Sequence, residues 1–203
     1  EGSVPADADM LLLLAPENLS EKAIFAVDQF LMQGGSVVIS TGSFNASISN
    51  SLSAASYNSG LNDWLESMGF TIQSEMVLDP QNASLPIPVP RRVGPISVNE
   101  IVMMPYPHFP DIRSEGLNAE HPVTAGLNQL TFNWASPVVV DADKHAERKV
   151  VQFVKSSANS WTSDDINVMP DYERYPQNGF VPGIARNPYT LAAASKGRFE
   201  SYF

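Results

Sequence analysis

The side chains able to do chemistry in this chain are few and far apart. Its three histidines, His108, His121 and His145, are the residues whose charge changes near neutral pH. None has a second histidine or a carboxylate at metal-ligand spacing. Glu120 adjoins His121, and a neighbouring carboxylate tunes an imidazole, but Pro122 also makes this stretch a turn with local hydrogen bonds. His108 lies in Pro105-Tyr106-Pro107-His108-Phe109-Pro110. Tyr106 and His108 could line a ligand shelf there. The other reading is a rigid extended segment covering a sheet edge, where proline belongs. Asp141-Ala142-Asp143 starts like a calcium loop, but Lys144 and His145 stand where further ligands should follow. Cysteine is absent, which excludes disulfides, thiolate catalysis and cysteine-ligated metals. The chain holds no phosphate-binding G-x-x-x-x-G-K-[ST], no dinucleotide fingerprint, no G-x-S-x-G elbow and no H-E-x-x-H. No catalytic residue, cofactor or metal ligand is assigned.

The elements that must position these groups begin with a buried strand. Residues 10–15 are an all-apolar run closed by Pro16, the pattern of a parallel-sheet strand. Ser20 caps a helix over residues 20–33, with Ala23, Ile24, Val27, Phe30 and Leu31 at helical spacing. Gly34-Gly35 ends it, one of the two in the left-handed conformation. Residues 37–39 are the next buried strand. The two strands should be parallel neighbours joined by a right-handed crossover. Residues 41–59 read as a long polar loop. Residues 61–68 read as a second helix with Leu61, Trp64, Leu65 and Met68 on one face. Residues 70–72 and 76–78 are short strands.

The composition changes near residue 86. Pro86, Pro88, Pro90 and Pro95 exclude a helix or a central strand. Residues 96–104, 131–140, 150–154 and 189–194 read as strands, and 159–188 as largely irregular. We divide the chain into an α/β core over residues 1–85 with its βαβ unit, and a β- and loop-rich continuation of the same domain over 86–203. In an open α/β sheet, ligands sit beyond the carboxyl ends of the strands. That position, with the Tyr106 segment, makes Asn18, Thr41, Ser43, Asn45, Tyr106 and His108 the candidate ligand-binding residues. The turn over residues 120–128 reads as a rigid corner: Thr124 caps it, Gly126 ends it with positive φ, and Val123 and Leu127 point inward.

The net charge of −10 makes nucleic acid an unfavourable partner. No apolar run reaches the roughly 20 residues of a spanning helix. Glu1 in place of a methionine, and the aromatic run at the far end, are what a piece of a longer protein would show.

Three stretches resemble a known family. They run from Val4-Pro5-Ala6-Asp7-Ala8-Asp9-Met10 to Gln33-Gly34-Gly35, over His121-Pro122-Val123-Thr124-Ala125-Gly126-Leu127-Asn128, and from Pro188-Tyr189-Thr190-Leu191 to Gly197-Arg198-Phe199. Together they look like the soluble domain of the auxiliary component of an ABC-type transport system, the group that includes the gliding-motility ABC transporter auxiliary protein. The resemblance implies a flavodoxin-like or class I glutamine amidotransferase-like fold with a mostly parallel sheet and a β- and loop-rich C-terminal elaboration. It implies a place on the periplasmic side of the membrane, tethered by transmembrane helices outside this sequence. It also implies separate permease and ATPase chains as partners, with a polar or polymeric ligand as a further candidate. Amidotransferase-like relatives use a nucleophilic cysteine, which this chain lacks, so a non-catalytic, interaction-based role is expected. The alternatives are a polar-ligand or carbohydrate-binding module, and a hydrolase with serine or histidine in place of cysteine.

Overall fold

A computed structural model of the chain describes residues 4–5, 7–47, 52–93 and 96–203. Pro95 and residues 48–51 of the expected polar loop lie outside the described residues. The amino-terminal unit has the expected order and parallel pairing. Strand β1 (Met10–Leu14) pairs in parallel with β2 (Ser36–Ser40), Leu12 opposite Val38. Helix α1 (Glu21–Met32) crosses between them. The Ser20 hydroxyl accepts the Ala23 N–H at 3.3 Å, satisfying one of the amide donors that a helix start leaves free. Gly34 ends the helix at φ +94°. Helix α2 (Asn62–Ser67) buries Trp64 and Leu65. These join Val27, Leu61 and Met68 in one core cluster, with Leu11, Leu13, Val37 and Ile39 packed against it. The two strands are not buried on both sides as expected: Met10, Leu12, Leu14 and Val38 are exposed, because among the described residues α1 and α2 pack against one face of the pair alone.

Beyond this unit the expected mostly parallel, flavodoxin-like or amidotransferase-like sheet is not there. The connection carrying α2, between residues 56 and 70, is long enough for a parallel crossover, yet β1 and β2 are the one parallel pair among the described residues. The pairs that follow are antiparallel. Strand β3 (Phe44–Ser47) pairs with β4 (Ser53–Ser56), so strands occupy what reads as a polar loop. Strand β5 (Phe70–Ile72) pairs with β10 (Val138–Val140). Strand β6 (Met76–Leu78) pairs with β12 (Trp161–Ser163). Strand β11 (Lys149–Lys155) pairs with β13 (Thr190–Lys196). The fold is mainly β, in small antiparallel sheets, with one parallel pair among the described residues.

The largest departure from the sequence reading is a long ribbon. Strand β7 (Asn82–Val93) pairs antiparallel with β8 (Ile96–Ile112), so the strand expected over 96–104 continues through Pro105, Pro107 and Pro110. Only the end of β8 gains another neighbour, β9 (Leu130–Thr131), at Asp111 and Ile112. Residues 131–140 do not form one strand, because Trp134 turns the chain at φ +49° between β9 and β10. The base of the ribbon is buried, whereas β8 is exposed from Ile96 to Met103.

Two further core clusters occur among the described residues. One gathers Met76, Leu78, Tyr106, Phe109, Trp161, Val168 and Phe180. The other gathers Val77, Ile112, Leu117, Val154 and Leu191. The corner at residues 120–128 is built differently from expectation. Thr124 is buried, and its hydroxyl donates to the Asn118 carbonyl at 2.6 Å. Gly126 is not left-handed, and Val123 and Leu127 are exposed. One buried hydroxyl bonded to main chain fixes this turn, so it needs no apolar pins.

Candidate functional site

Three of the six candidate residues, Asn18, Thr41 and Ser43, lie on the loops after β1 and β2, and a fourth, Asn45, lies on β3. Ala15 and Asn18 are both left-handed, at φ +42° and +47°. Asparagine tolerates that conformation through its short polar side chain, whereas alanine pays a steric cost there. The loop is held by the Asn18 N–H to the Asn58 carbonyl at 2.9 Å and the Leu19 N–H to the Ser59 carbonyl at 3.0 Å. The Tyr57 hydroxyl also donates to the Pro16 carbonyl. Tyr57 further binds the second loop, its N–H donating to the Ser43 carbonyl at 2.8 Å. The structure therefore brings Asn18 and Ser43 to one end of the parallel pair. Ser43 is committed to main chain and a neighbouring serine: its hydroxyl donates to the Gln73 carbonyl at 2.9 Å, and its N–H donates to Ser136 Oγ at 3.1 Å. Thr41 Oγ1 is buried without a partner. Asn45 is exposed on β3.

Tyr106 and His108 stand apart from that loop, inside the core. Tyr106 is fully buried. Its hydroxyl donates to the Val168 carbonyl at 2.7 Å and accepts the Trp134 indole N–H at 3.2 Å. Burial holds its ionisation above the ordinary tyrosine range. His108 is 1% exposed, edge-on to Phe180 at 4.7 Å between centroids, and its Nδ1 has no partner. Burial among these rings pushes its pKa down to about 3, since a charged imidazole would lose its hydration. The expected ligand shelf is thus a filled aromatic cluster.

The other histidines bond main-chain atoms. His121 Nδ1 accepts the Val123 N–H at 3.3 Å, and the ring lies 4.6 Å from that of Phe153. His145 Nδ1 lies 2.6 Å from the Asp141 carbonyl oxygen, an acceptor, so that nitrogen carries the proton. His145, Arg148 and Gln152 line an open groove of about 510 Å³. The Arg148 guanidinium is tied to the Met68 carbonyl at 3.1 Å and to the Lys144 carbonyl, and burial lowers its pKa from the ordinary value. No cluster of three or more His, Asp or Glu able to hold a metal occurs among the described residues.

Sequence reasoning missed three polar nodes. Buried Asp79 accepts the Ser157 N–H and hydroxyl, each at 2.7 Å, and the Gln81 N–H at 2.9 Å. Buried Asp28 accepts the Trp64 indole N–H at 3.0 Å, the Ser201 hydroxyl at 2.6 Å and the Tyr202 N–H at 3.0 Å. Asp111 receives the Arg113 guanidinium. The only signal in the sequence was an acidic residue on an otherwise apolar helix face, at Asp28.

Two surfaces expose contiguous apolar side chains: the outer face of β1 and β2, with Met10, Leu12, Leu14 and Val38, and the distal ribbon, which alone projects from the core. Opposite pairs on an antiparallel ladder share a face. Pro86 faces Met103 and Pro88 faces Ile101, while Ile87 faces Val102 and Arg91 faces Val98 on the other side. Both faces are therefore largely apolar. Ile101 is 68% exposed, Ile96 63% and Met103 59%. Isolated apolar residues on a surface are ordinary, but a contiguous set marks an interaction site.

This is a mainly antiparallel β protein with one βαβ unit and a projecting apolar ribbon, its buried carboxylates engaged by amide, indole, hydroxyl and guanidinium donors of the fold. The chain belongs to the family described as an ABC-type uncharacterized transport system, the auxiliary family of such transporters, whose model matches residues 1–203. Neither the curated proteins nor the solved structures give a match to it.

Proposed function

We propose that the chain serves its transport system by binding rather than by catalysis, as an extracytoplasmic domain that contacts other protein chains of the assembly through the β7–β8 ribbon. Membership of the auxiliary family supports association with transporter components. The observation that carries the reading is the ribbon, where Ile96, Ile101 and Met103 are exposed on both faces of a two-stranded element. Two strands alone are marginally stable in water, so a partner that covers them stabilises them. The polar groups favour the same reading: the Ser43, Thr124 and Ser157 hydroxyls bond carbonyls or a structural carboxylate. The place outside the membrane, the transmembrane tether, and the permease and ATPase partners rest on the family resemblance.

The test is co-purification of the permease and ATPase chains with the full-length protein, wild type against Ile96→Asp/Ile101→Asp. Loss of the complex with an unchanged melting temperature is expected. Retained association and transport in the variant refutes the ribbon's role. Ester or amide turnover that disappears in Ser43→Ala refutes the non-catalytic reading.

A second reading has its own observation. Left-handed Ala15 and the unpartnered Thr41 hydroxyl lie at the ends of β1 and β2, and backbone strain of that kind collects at ligand sites. Titration with neutral oligosaccharides, lost in Thr41→Val, would favour a polar-ligand module.

A further inference from the structure

The two edges of the ribbon differ in a way that selects a partner. In an antiparallel ladder, alternate residues turn both N–H and C=O towards the partner strand, and the residues between turn them outwards. Pro86, Pro88 and Pro90 have no N–H to give. They face Met103, Ile101 and Asn99, so these are the pairs whose backbone groups point away from each other. The base of the ribbon shows the same parity. Pro105 opposes Ser84, and its carbonyl accepts the Tyr172 hydroxyl, outside the ladder. The Pro107 carbonyl likewise accepts the Asp79 N–H at 2.9 Å. The outer edge of β7 is therefore blocked by three prolines. The outer edge of β8 offers the N–H and C=O groups of Ser97, Asn99, Ile101 and Met103. That edge is covered at its base and bare where it projects. An uncovered edge with no proline or lysine along it is a template for strand addition.

We propose that this edge pairs with the same edge of a second copy of the chain, antiparallel across a two-fold axis, giving a four-stranded sheet in the order β7-β8-β8-β7. The proposal rests on the reading of the ribbon as a protein-contact element and names what it contacts. Two features favour a copy of this chain. The first is closure. Joining two β8 edges leaves a proline-blocked β7 on each outer side, so growth stops at a dimer, as a two-fold interface requires. The second is charge. The chain carries −10; the stretch 85–104 holds Arg91, Arg92 and Glu100, a net +1, which leaves −11 on the remainder. Antiparallel pairing brings the tip of each ribbon, with its two arginines, to the base of the other. The segment tied to that base by Tyr172 carries exposed Asp164, Asp165, Asp171 and Glu173 against Arg174. Opposite charges thus meet at both ends of the interface. Insertion into lipid is disfavoured, because the bare backbone groups of an open edge go unsatisfied in hydrocarbon.

The experiment is sedimentation equilibrium of the protein from about 1 to 100 μM, with Ile101→Pro as the diagnostic variant. The Ile101 N–H points away from β7, so proline there removes a donor to the second copy and none within the chain. The expected result is a wild-type dimer whose dissociation constant rises at least tenfold in Ile101→Pro, with the variant's circular dichroism and monomer melting temperature retained. Arg92→Glu should weaken the dimer as well, and Glu173→Arg in the same chain should restore it. A wild-type monomer across the range overturns the proposal, as does a dimer indifferent to both variants. Flotation of the protein with anionic phosphatidylglycerol vesicles, lost in Ile101→Pro, also overturns it in favour of a membrane. If the protein is monomeric but Ile96→Asp/Ile101→Asp still loses the permease and ATPase chains, this inference fails and the proposed function stands. If that variant keeps them as well, both fail.

Discussion

Asp28 on α1 accepts the indole N–H of Trp64 on α2 at 3.0 Å, with both side chains buried. This bond joins the two helices, and the same carboxylate receives Ser201 and Tyr202 from the other end of the chain. Asp28→Ala leaves the indole N–H and the Ser201 hydroxyl without their acceptor. Hydrogen bonds to charged groups contribute about 1.5–3 kcal/mol each, and a buried orphan adds desolvation cost. We expect a loss of about 3 kcal/mol in urea unfolding, and a smaller one for Asp28→Asn, whose amide oxygen still accepts.

Gly34 and Gly60 should respond unequally to alanine. Both are left-handed, at φ +94° and +81°. A Cβ at Gly34 meets nothing within 4 Å, whereas one at Gly60 falls 2.7 Å from Leu19 backbone atoms. Gly34→Ala therefore carries the conformational cost alone, about 1 kcal/mol. Gly60→Ala must also displace the Leu19 main chain, and should lower the melting temperature clearly further. Equal effects in a thermal melt would contradict this difference.

His108 makes the fold acid-sensitive. Its pKa falls from the usual 6.5 to about 3 in the folded state, so the unfolded chain binds the proton more readily in that interval. The stability contributed by neutral His108 is complete above pH 6.5 and is lost as pH falls towards 3. The slope reaches about 1.4 kcal/mol per pH unit for one proton. His108→Phe, which keeps an aromatic ring in the cluster, should flatten the acid limb of a stability-against-pH curve. An identical limb in the variant would remove His108 as its cause.

The corner at residues 120–128 should depend on its buried hydroxyl and little on its exposed side chains. Thr124→Val removes the bond to the Asn118 carbonyl, which keeps the His121 N–H at 3.3 Å, so the cost is that of one hydrogen bond, about 1 kcal/mol. Leu127→Ala should change stability by less than about 0.5 kcal/mol, the range of surface substitutions. His121→Ala loses only the ring contact with Phe153 and one local bond. Chemical denaturation of the three variants separates these effects.

The sequence by itself determined the order and pairing of the βαβ unit, but not that one face of β1 and β2 stays exposed. The apolar runs of β1 and β2, the Ser20 cap and Gly34 act within a few residues of themselves, so the order they set does not depend on the rest of the chain. The face of α2 and the short strands β5 and β6 were legible for the same reason. Partner choice was not. Nothing local in residues 70–78 says whether the next strand arrives parallel or antiparallel, and β10 and β12, which settle it, lie more than 60 residues away. The proline stretch shows the limit most clearly. Read alone, Pro86, Pro88 and Pro90 only exclude a central strand; paired with β8, their parity decides which edge is blocked and which is open. Likewise, Tyr106 and His108 read as a shelf because Trp134, Val168 and Phe180, which enclose them, are distant in sequence. Tertiary structure decided whether those polar rings face a ligand or a core, because burial is a property of what packs around a residue.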